Sequence, residues 1–200
     1  ILLAYQMGIF PWFSKGQPIL WWSPDPRMIV EPQNLHVPRS LAKRIRQRDF
    51  RITLDTAFEQ VVTECAATPR PDQEGTWITE SMYESYCKLH IQGHAHSVEA
   101  WEGDTLVGGL YGVSLGGLFS GESMFSHRSD ASKIAFVYFM RQLARWQFSL
   151  VDCQVYTKHL ARFGAMEIPR SDYLERLEIA IRQTAKVGRW TFDEDFECTG

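Results

Sequence analysis

A chain of 200 residues with 44% hydrophobic and 22% charged residues has the balance of a globular protein: one sizeable core, or one domain with a smaller appendage. A net charge of −3 and a pI near 6.1 exclude nonspecific coating of nucleic acid through overall charge, while leaving room for a local basic patch. The four cysteines (Cys65, Cys87, Cys153, Cys198) form no CxxC and no even spacing, and read as reduced, mostly buried thiols of a cytoplasmic protein.

The opening ILLAYQMGIFPWF is apolar but has no basic leader, and Gln6, Gly8 and Pro11 interrupt it, so neither a signal peptide nor a membrane span is expected. The first residue is Ile1 and not Met, which leads to the expectation of a missing preceding segment. Residues 1–38 carry proline at 11, 18, 24, 26, 32 and 38, which rules out long regular elements and predicts a packed, turn-rich lobe. Its rings (Tyr5, Phe10, Trp12, Phe13, Trp21, Trp22) can form an aromatic mini-core, with one of them left as a stacking platform. Flat rings bind bases at about 1–3 kcal/mol each without reading sequence. Residues 39–200 are assigned to a second, larger domain.

From Arg39 to Arg51 the composition turns basic, six cations against Asp49 alone. Helical spacing puts Arg39 and Lys43 on one face with Arg46 a turn on, which makes either a solvated face or a surface for docking phosphates. A helix is expected over 55–67, where Thr56 and Glu59 have capping-box spacing, with Pro69 and Pro71 ending it. Glu74–Thr79 reads as a turn presenting Trp77. A second helix follows at about 80–92, with Gly93 as its C-cap. Strands are expected at 94–101, 105–113 and 118–120, then a long helix at 130–147, a strand at 150–155, a short helix at 158–163 and a last helix from Asp172 to about Lys186. That order predicts an α+β fold, a mixed sheet flanked by helices.

The stretch Gly116–Phe125, GGLFSGESMF, is the candidate centre of the chemistry. Glycine inside a strand marks a bulge or a close approach, and Glu122 beside Met124 and Phe125 reads as a pocket with one charged wall; the alternative is a hairpin followed by an exposed Glu. Alternation along 151–155 points Asp152 and Gln154 to one face and turns Cys153 away, so Cys153 is a packed thiol and no nucleophile. Two polar side chains together on a central strand require partners or a ligand. His90, His94 and His96 cluster, but no acidic or thiol partner sits at ligand spacing, so no metal site is expected. Ser123 does not fit the GxSxG pattern of serine hydrolases.

Three strands, a break, a helix and a further strand is the layout of acyl-CoA N-acyltransferases. Those enzymes need a glycine-rich turn before the long helix to hold the pyrophosphate. Here that segment reads Ser126-His127-Arg128-Ser129-Asp130-Ala131, without glycine. The layout points to acyl transfer to an amine, and the missing turn, the basic helix and the tryptophans point to a donor carried on RNA.

The motifs AYQMGIFPWFS (4–14), ILWWSPDPR (19–27), EGTWIT (74–79), GHAHSVE (93–99), LVGGLYGV (106–113), FSGESMFS (119–126), ASK (131–133), DCQ (152–154), GA (164–165), IPR (168–170) and DYL (172–174) together resemble the bacterial leucyl/phenylalanyl-tRNA–protein transferases. The resemblance implies a small N-terminal lobe and an acyltransferase-fold domain, with no cofactor. It implies transfer of Leu, Phe or, less well, Met from aminoacyl-tRNA to proteins with N-terminal Arg or Lys, marking them for degradation by the N-end rule. It implies that Trp12 stacks on the terminal adenine, that Tyr5 and Trp77 line the same site, and that Leu110, Phe119, Met124, Phe139 and Val151 build the amino-acid pocket. Arg39, Lys43 and Arg46 fall at positions implicated in acceptor-stem contact. The expected mechanism has Asp152 and Gln154 orient the attacking amine, with Asp152 as base or orienter, and Glu122 recognise the positive acceptor. A CoA-dependent N-acetyltransferase and a non-catalytic tRNA-binding module are the alternatives.

Overall fold

The computed structural model describes residues 1–13, 16–69 and 76–198. Ser14, Pro71, Glu74 and Gly75, which take part in the expected turns and motifs, lie outside the described residues. The chain opens with a short helix, α1 (Leu2–Gln6), and a two-stranded ribbon of β1 (Phe10–Pro11) and β2 (Trp21–Trp22). Then come β3 (Arg27–Val30), α2 (Arg39–Gln47), β4 (Arg51–Leu54), α3 (Phe58–Ala67) and α4 (Glu80–Ile91). A meander follows, β5 (Ala95–Glu102), β6 (Thr105–Leu115) and β7 (Leu118–Ser126), and then α5 (Ala131–Arg145), β8 (Leu150–Gln154), α6 (Lys158–Ala161), β9 (Met166–Ile168) and α7 (Arg170–Ile181).

Seven strands form one sheet in the order β4-β5-β6-β7-β8-β3-β9. All neighbours are antiparallel except β7 and β8, which α5 connects as a parallel pair. This is the expected mixed sheet flanked by helices. Leu110, Phe119 and Val151 face α5 and α2 in one apolar cluster, while Tyr111, Val113 and Phe125 face α3 and α4 in another. The central strands are therefore covered on both faces and read as nearly continuous apolar runs. α7 covers the β7–β8–β3 end through Tyr173, Leu177 and Ala180.

Close packing on β6 depends on glycine. A Cβ at Gly112 would collide with the carbonyl oxygen of Ser120 and the ring of Phe119. Gly112→Ala is expected to cost about 1–3 kcal/mol of overpacking, read in a urea titration; a midpoint equal to the parent's would contradict this packing.

Several expectations shift in the structure. β3 pairs inside the main sheet, so residues 27–30 belong to it and not to the lobe that was drawn to residue 38. β4 and β9 are edge strands at positions where no strand is expected from the sequence. β7 runs six residues beyond Ser120, through Ser126. The Thr56–Glu59 capping box is not used: α3 starts after Ala57, whose N–H donates to Glu99 instead, and the Thr56 hydroxyl donates to the Leu54 carbonyl. α7 likewise begins at Arg170, ahead of Asp172, and its first N–H donates to Asp25.

The histidine cluster is structural. Asp55 is buried, its Oδ2 within 2.8 Å of His96 Nδ1, and it accepts from the backbone N–H groups of Ser97 and Trp190. Trp190 stacks on His96 at 3.5 Å and lies against Phe119 and Phe139. Among the described residues no group of three or more His, Cys, Asp or Glu could hold a metal, and no helix is long and apolar enough to cross a membrane.

Candidate active site

The site forms where the parallel pair comes apart. β7 and β8 pair only from Leu118–Leu150 to Ser120–Asp152. Beyond that point β7 follows β6 and β8 follows β3, and each carries a one-residue bulge at the opening. In β7, Gly121 and Ser123 pair with consecutive residues of β6, so Glu122 is the extra residue. In β8, Asp152 and Gln154 pair with consecutive residues of β3, so Cys153 is the extra residue. A bulge re-aims side chains and ends pairing. Here two of them hold the sheet open.

Between the splayed strands lies a cavity of about 420 Å³. Leu110, Phe119, Met124, Phe139 and Val151, the five expected pocket residues, all line it, and Phe136 joins them. Trp12 and Trp77 line the same space, as do Glu122, Asp152 and Gln154. Trp12 is 40% exposed, tilted against Trp22 at 5.9 Å, and its carbonyl accepts from the Trp22 indole N–H. Trp77 is buried, edge-on to Tyr86.

Two placements differ from expectation. Tyr5 does not reach the cavity; it sits one layer back, 3.0 Å from the Tyr86 hydroxyl. Cys153 does not turn away from Asp152 and Gln154: all three line the cavity, because the bulge and a left-handed Gln154 (φ 64°) break the period-2 alternation. Burial and the adjacent Asp152 carboxylate still push the Cys153 thiol pKa far up, so it is no thiolate nucleophile. Arg39, Lys43 and Arg46 lie outside the cavity, on the exposed face of α2.

Asp152 is saturated. Arg27 donates to it from Nε at 2.8 Å and from Nη2 at 2.6 Å, both side chains being 1% exposed. The Tyr173 hydroxyl donates at 2.9 Å and the Gln154 backbone N–H at 2.8 Å. Arg27 is sandwiched between the rings of Phe10 and Tyr173 and donates through Nη1 to the Gly8 carbonyl, so it fastens the N-terminal lobe to the sheet. Removing either partner of this buried pair strands the other charge.

Glu122 is the opposite case. It accepts from Gln154 Nε2 at 3.0 Å and from the Tyr86 hydroxyl at 2.7 Å. Tyr86 spends its one proton on Glu122, so Tyr5 donates in turn to Tyr86. Burial, with Glu122 second, raises both tyrosines well above the usual phenol range and keeps them donors. Burial is also the largest influence on Glu122, and its carboxyl is lifted to about 7 against the hydrogen bond from Tyr86. The site thus holds one carboxylate paired with a buried guanidinium and one whose carboxyl is poised to exchange a proton near neutrality.

Sequence reasoning gave no role to Arg27, Tyr86 or Tyr173. Arg27 and Tyr173 stand inside the quoted motifs ILWWSPDPR and DYL, and that position was their only signal. Tyr86 falls within the helix expected at about 80–92, where its spacing gave nothing to set it apart.

Two family models match the chain: the leucyl/phenylalanyl-tRNA protein transferase N-terminal domain over residues 1–25, and leucyl/phenylalanyl-tRNA protein transferase over residues 29–178. A leucyl/phenylalanyl-tRNA–protein transferase of Anaeromyxobacter sp. (strain Fw109-5) is 58% identical over 193 residues, covering 96% of this chain and 82% of that protein. Proteins of the same name from Nitratidesulfovibrio vulgaris (strain DP4) and Myxococcus xanthus (strain DK1622) are 56% and 54% identical, covering 98% and 96% of this chain and 84% and 82% of theirs. With both models aligned along a single cavity and identity above half over nearly the whole length, the chain belongs to the leucyl/phenylalanyl-tRNA protein transferase family.

Proposed function

We propose that this protein moves leucyl, phenylalanyl and, less well, methionyl groups from aminoacyl-tRNA to the α-amine of proteins beginning with Arg or Lys, in the cytoplasm, as an N-end rule degradation mark. The observation that carries the reading is the junction of an apolar cavity, a tryptophan at its mouth and an acid–amide pair at the opened strands. Trp12 takes the terminal adenine, Trp77 packs beside it, and the aminoacyl side chain enters between Met124, Phe119 and Phe139. Arg39, Lys43 and Arg46 meet phosphates of the acceptor stem.

The donor ester is already activated, so no enzyme nucleophile is needed. The acceptor nitrogen attacks the ester carbonyl carbon, the new C–N bond forms, and the C–O bond to the ribose breaks. The attacking amine loses one proton and the leaving ribose oxygen gains one. Alignment supplies much of the acceleration. Glu122 receives the proton and Gln154 orients the nitrogen through its side-chain oxygen. Asp152 acts as a positioning residue: it holds the Gln154 N–H and so fixes the left-handed bend that aims the amide. The charge of Glu122 also suits a cationic acceptor.

Phe-tRNA carrying labelled Phe, incubated with an Arg-starting peptide, is expected to label the peptide, and labelled acetyl-CoA is not. Label from acetyl-CoA alone would favour an acetyltransferase, and label from neither would leave an RNA-binding module. Leu and Phe side chains, unbranched at Cβ, fit the slot beside Met124; Ile-tRNA is expected to transfer at least tenfold more slowly than Leu-tRNA, and equal rates would contradict the pocket shape.

A further inference from the structure

A second cleft, of about 110 Å³, lies between α2 and the main cavity. Pro38, Ser40 and Leu41 of the α2 start form one side; Asp130, Lys133, His159 and Arg162 form the other. His159 lines both cavities, so the two share a wall. Its Nε2 is buried and has no hydrogen-bond partner among the described residues, an unusual state for a polar atom. Burial, and then the charges of Lys133 and Arg162, lower its pKa, so the ring is neutral and Nε2 can carry a donor proton.

The charge of the cleft is positive. Asp130 is its one anion and is paired with Lys133 at 2.6 Å. Arg162 is exposed and takes part in no ion pair among the described residues. The first turn of α2 has no side-chain cap, which adds backbone N–H groups on the same side. The cleft touches two other features: it shares His159 with the apolar cavity, and Ser40 and Leu41 set it against α2, the helix that carries the exposed cations Arg39, Lys43 and Arg46.

An RNA whose terminal nucleoside fills the main cavity and whose stem rests on α2 has to pass its backbone across the ground between them. We propose that this cleft seats a phosphodiester of the single-stranded 3′ tail, held by Arg162 and Lys133, with His159 Nε2 donating to the phosphate or the adjoining ribose. This rests on the aminoacyl-tRNA reading above and adds a backbone site to it. Two cations and one neutral imidazole suit one monoanionic group, and Lys133 can turn from Asp130 to share it.

The test uses three donors for one peptide acceptor: Phe esterified to adenosine alone, to the trinucleotide CCA, and to whole tRNA. The parent enzyme using tRNA and adenosine ester establishes the underlying reading by itself; failure with both would remove that reading and not merely this one. Arg162→Ala is expected to raise KM about tenfold for the trinucleotide and tRNA donors while leaving the adenosine ester within twofold. Lys133→Ala is expected to follow the same pattern more weakly. The slope of log affinity against log salt for tRNA should become shallower by about 0.7 for each lost contact. Trinucleotide and tRNA KM values in Arg162→Ala unchanged from the parent's, or an equal loss on the adenosine ester, would overturn the assignment.

Discussion

Replacing Asp152 by Leu is expected to destabilise the protein by about 3–5 kcal/mol, because it leaves the Arg27 guanidinium buried with no counter-charge. Arg27→Met alone should cost a similar amount, by stranding the carboxylate. The double variant Arg27→Met, Asp152→Leu should recover most of the loss, since apolar groups of similar volume often replace a buried pair at little cost. Urea titration of the four proteins closes the cycle. Peptide transfer is expected to stay low in the double variant, because the Gln154 N–H has lost its acceptor. A stable double variant with parental transfer would show that the pair serves the fold alone. Single variants as stable as the parent would show that the pair is not desolvated in solution.

Glu122→Gln is the second large effect. Loss of a proton acceptor is expected to lower single-turnover transfer about 10²–10⁴-fold while aminoacyl-tRNA affinity stays near parental. The pH profile gives a separate readout. Glu122 accepts a proton only as the carboxylate, so transfer in the parent should rise through about pH 7. The acceptor α-amine, with an ordinary pKa of about 7.7–8.0, adds a second rise in the same direction. In Glu122→Gln the lower limb should vanish and the amine limb remain. An unchanged lower limb would assign it elsewhere. Stability carries the matching sign. A carboxyl whose pKa is raised on folding is bound to its proton more tightly in the folded state, so stability falls as pH rises from the ordinary 4.5 to about 7. Glu122→Gln should flatten that fall.

Local patterns carried much of the architecture. The apolar stripes gave α3, α4 and α5 within a few residues, and the paired glycines at 116 and 117 marked the β6–β7 turn. The break at Gly121 was readable as a bulge, and Glu122 as a charged wall, because glycine in a strand has few other uses. What period-2 reasoning could not supply was the second bulge. Cys153 carries no glycine to announce it, and the alternation it disrupts placed Cys153 on the wrong face. Asp152 and Arg27 lie 125 positions apart, and their pairing follows from β3 joining the sheet, a long-range event that no local propensity encodes. For the same reason Asp152 read as a candidate base in sequence, where its partners were invisible. His159, on a four-residue helix, offered no pattern to single it out.

Trp190 stiffens the pocket from outside it. Its indole braces Phe119 and Phe139 from behind, and its backbone is tethered to Asp55, 135 positions earlier. The ring itself is not part of the cavity lining, so the width of the slot is governed by a buttress that what enters the slot never meets. Slackening the Asp55 tether would therefore blur selectivity with every lining residue left intact.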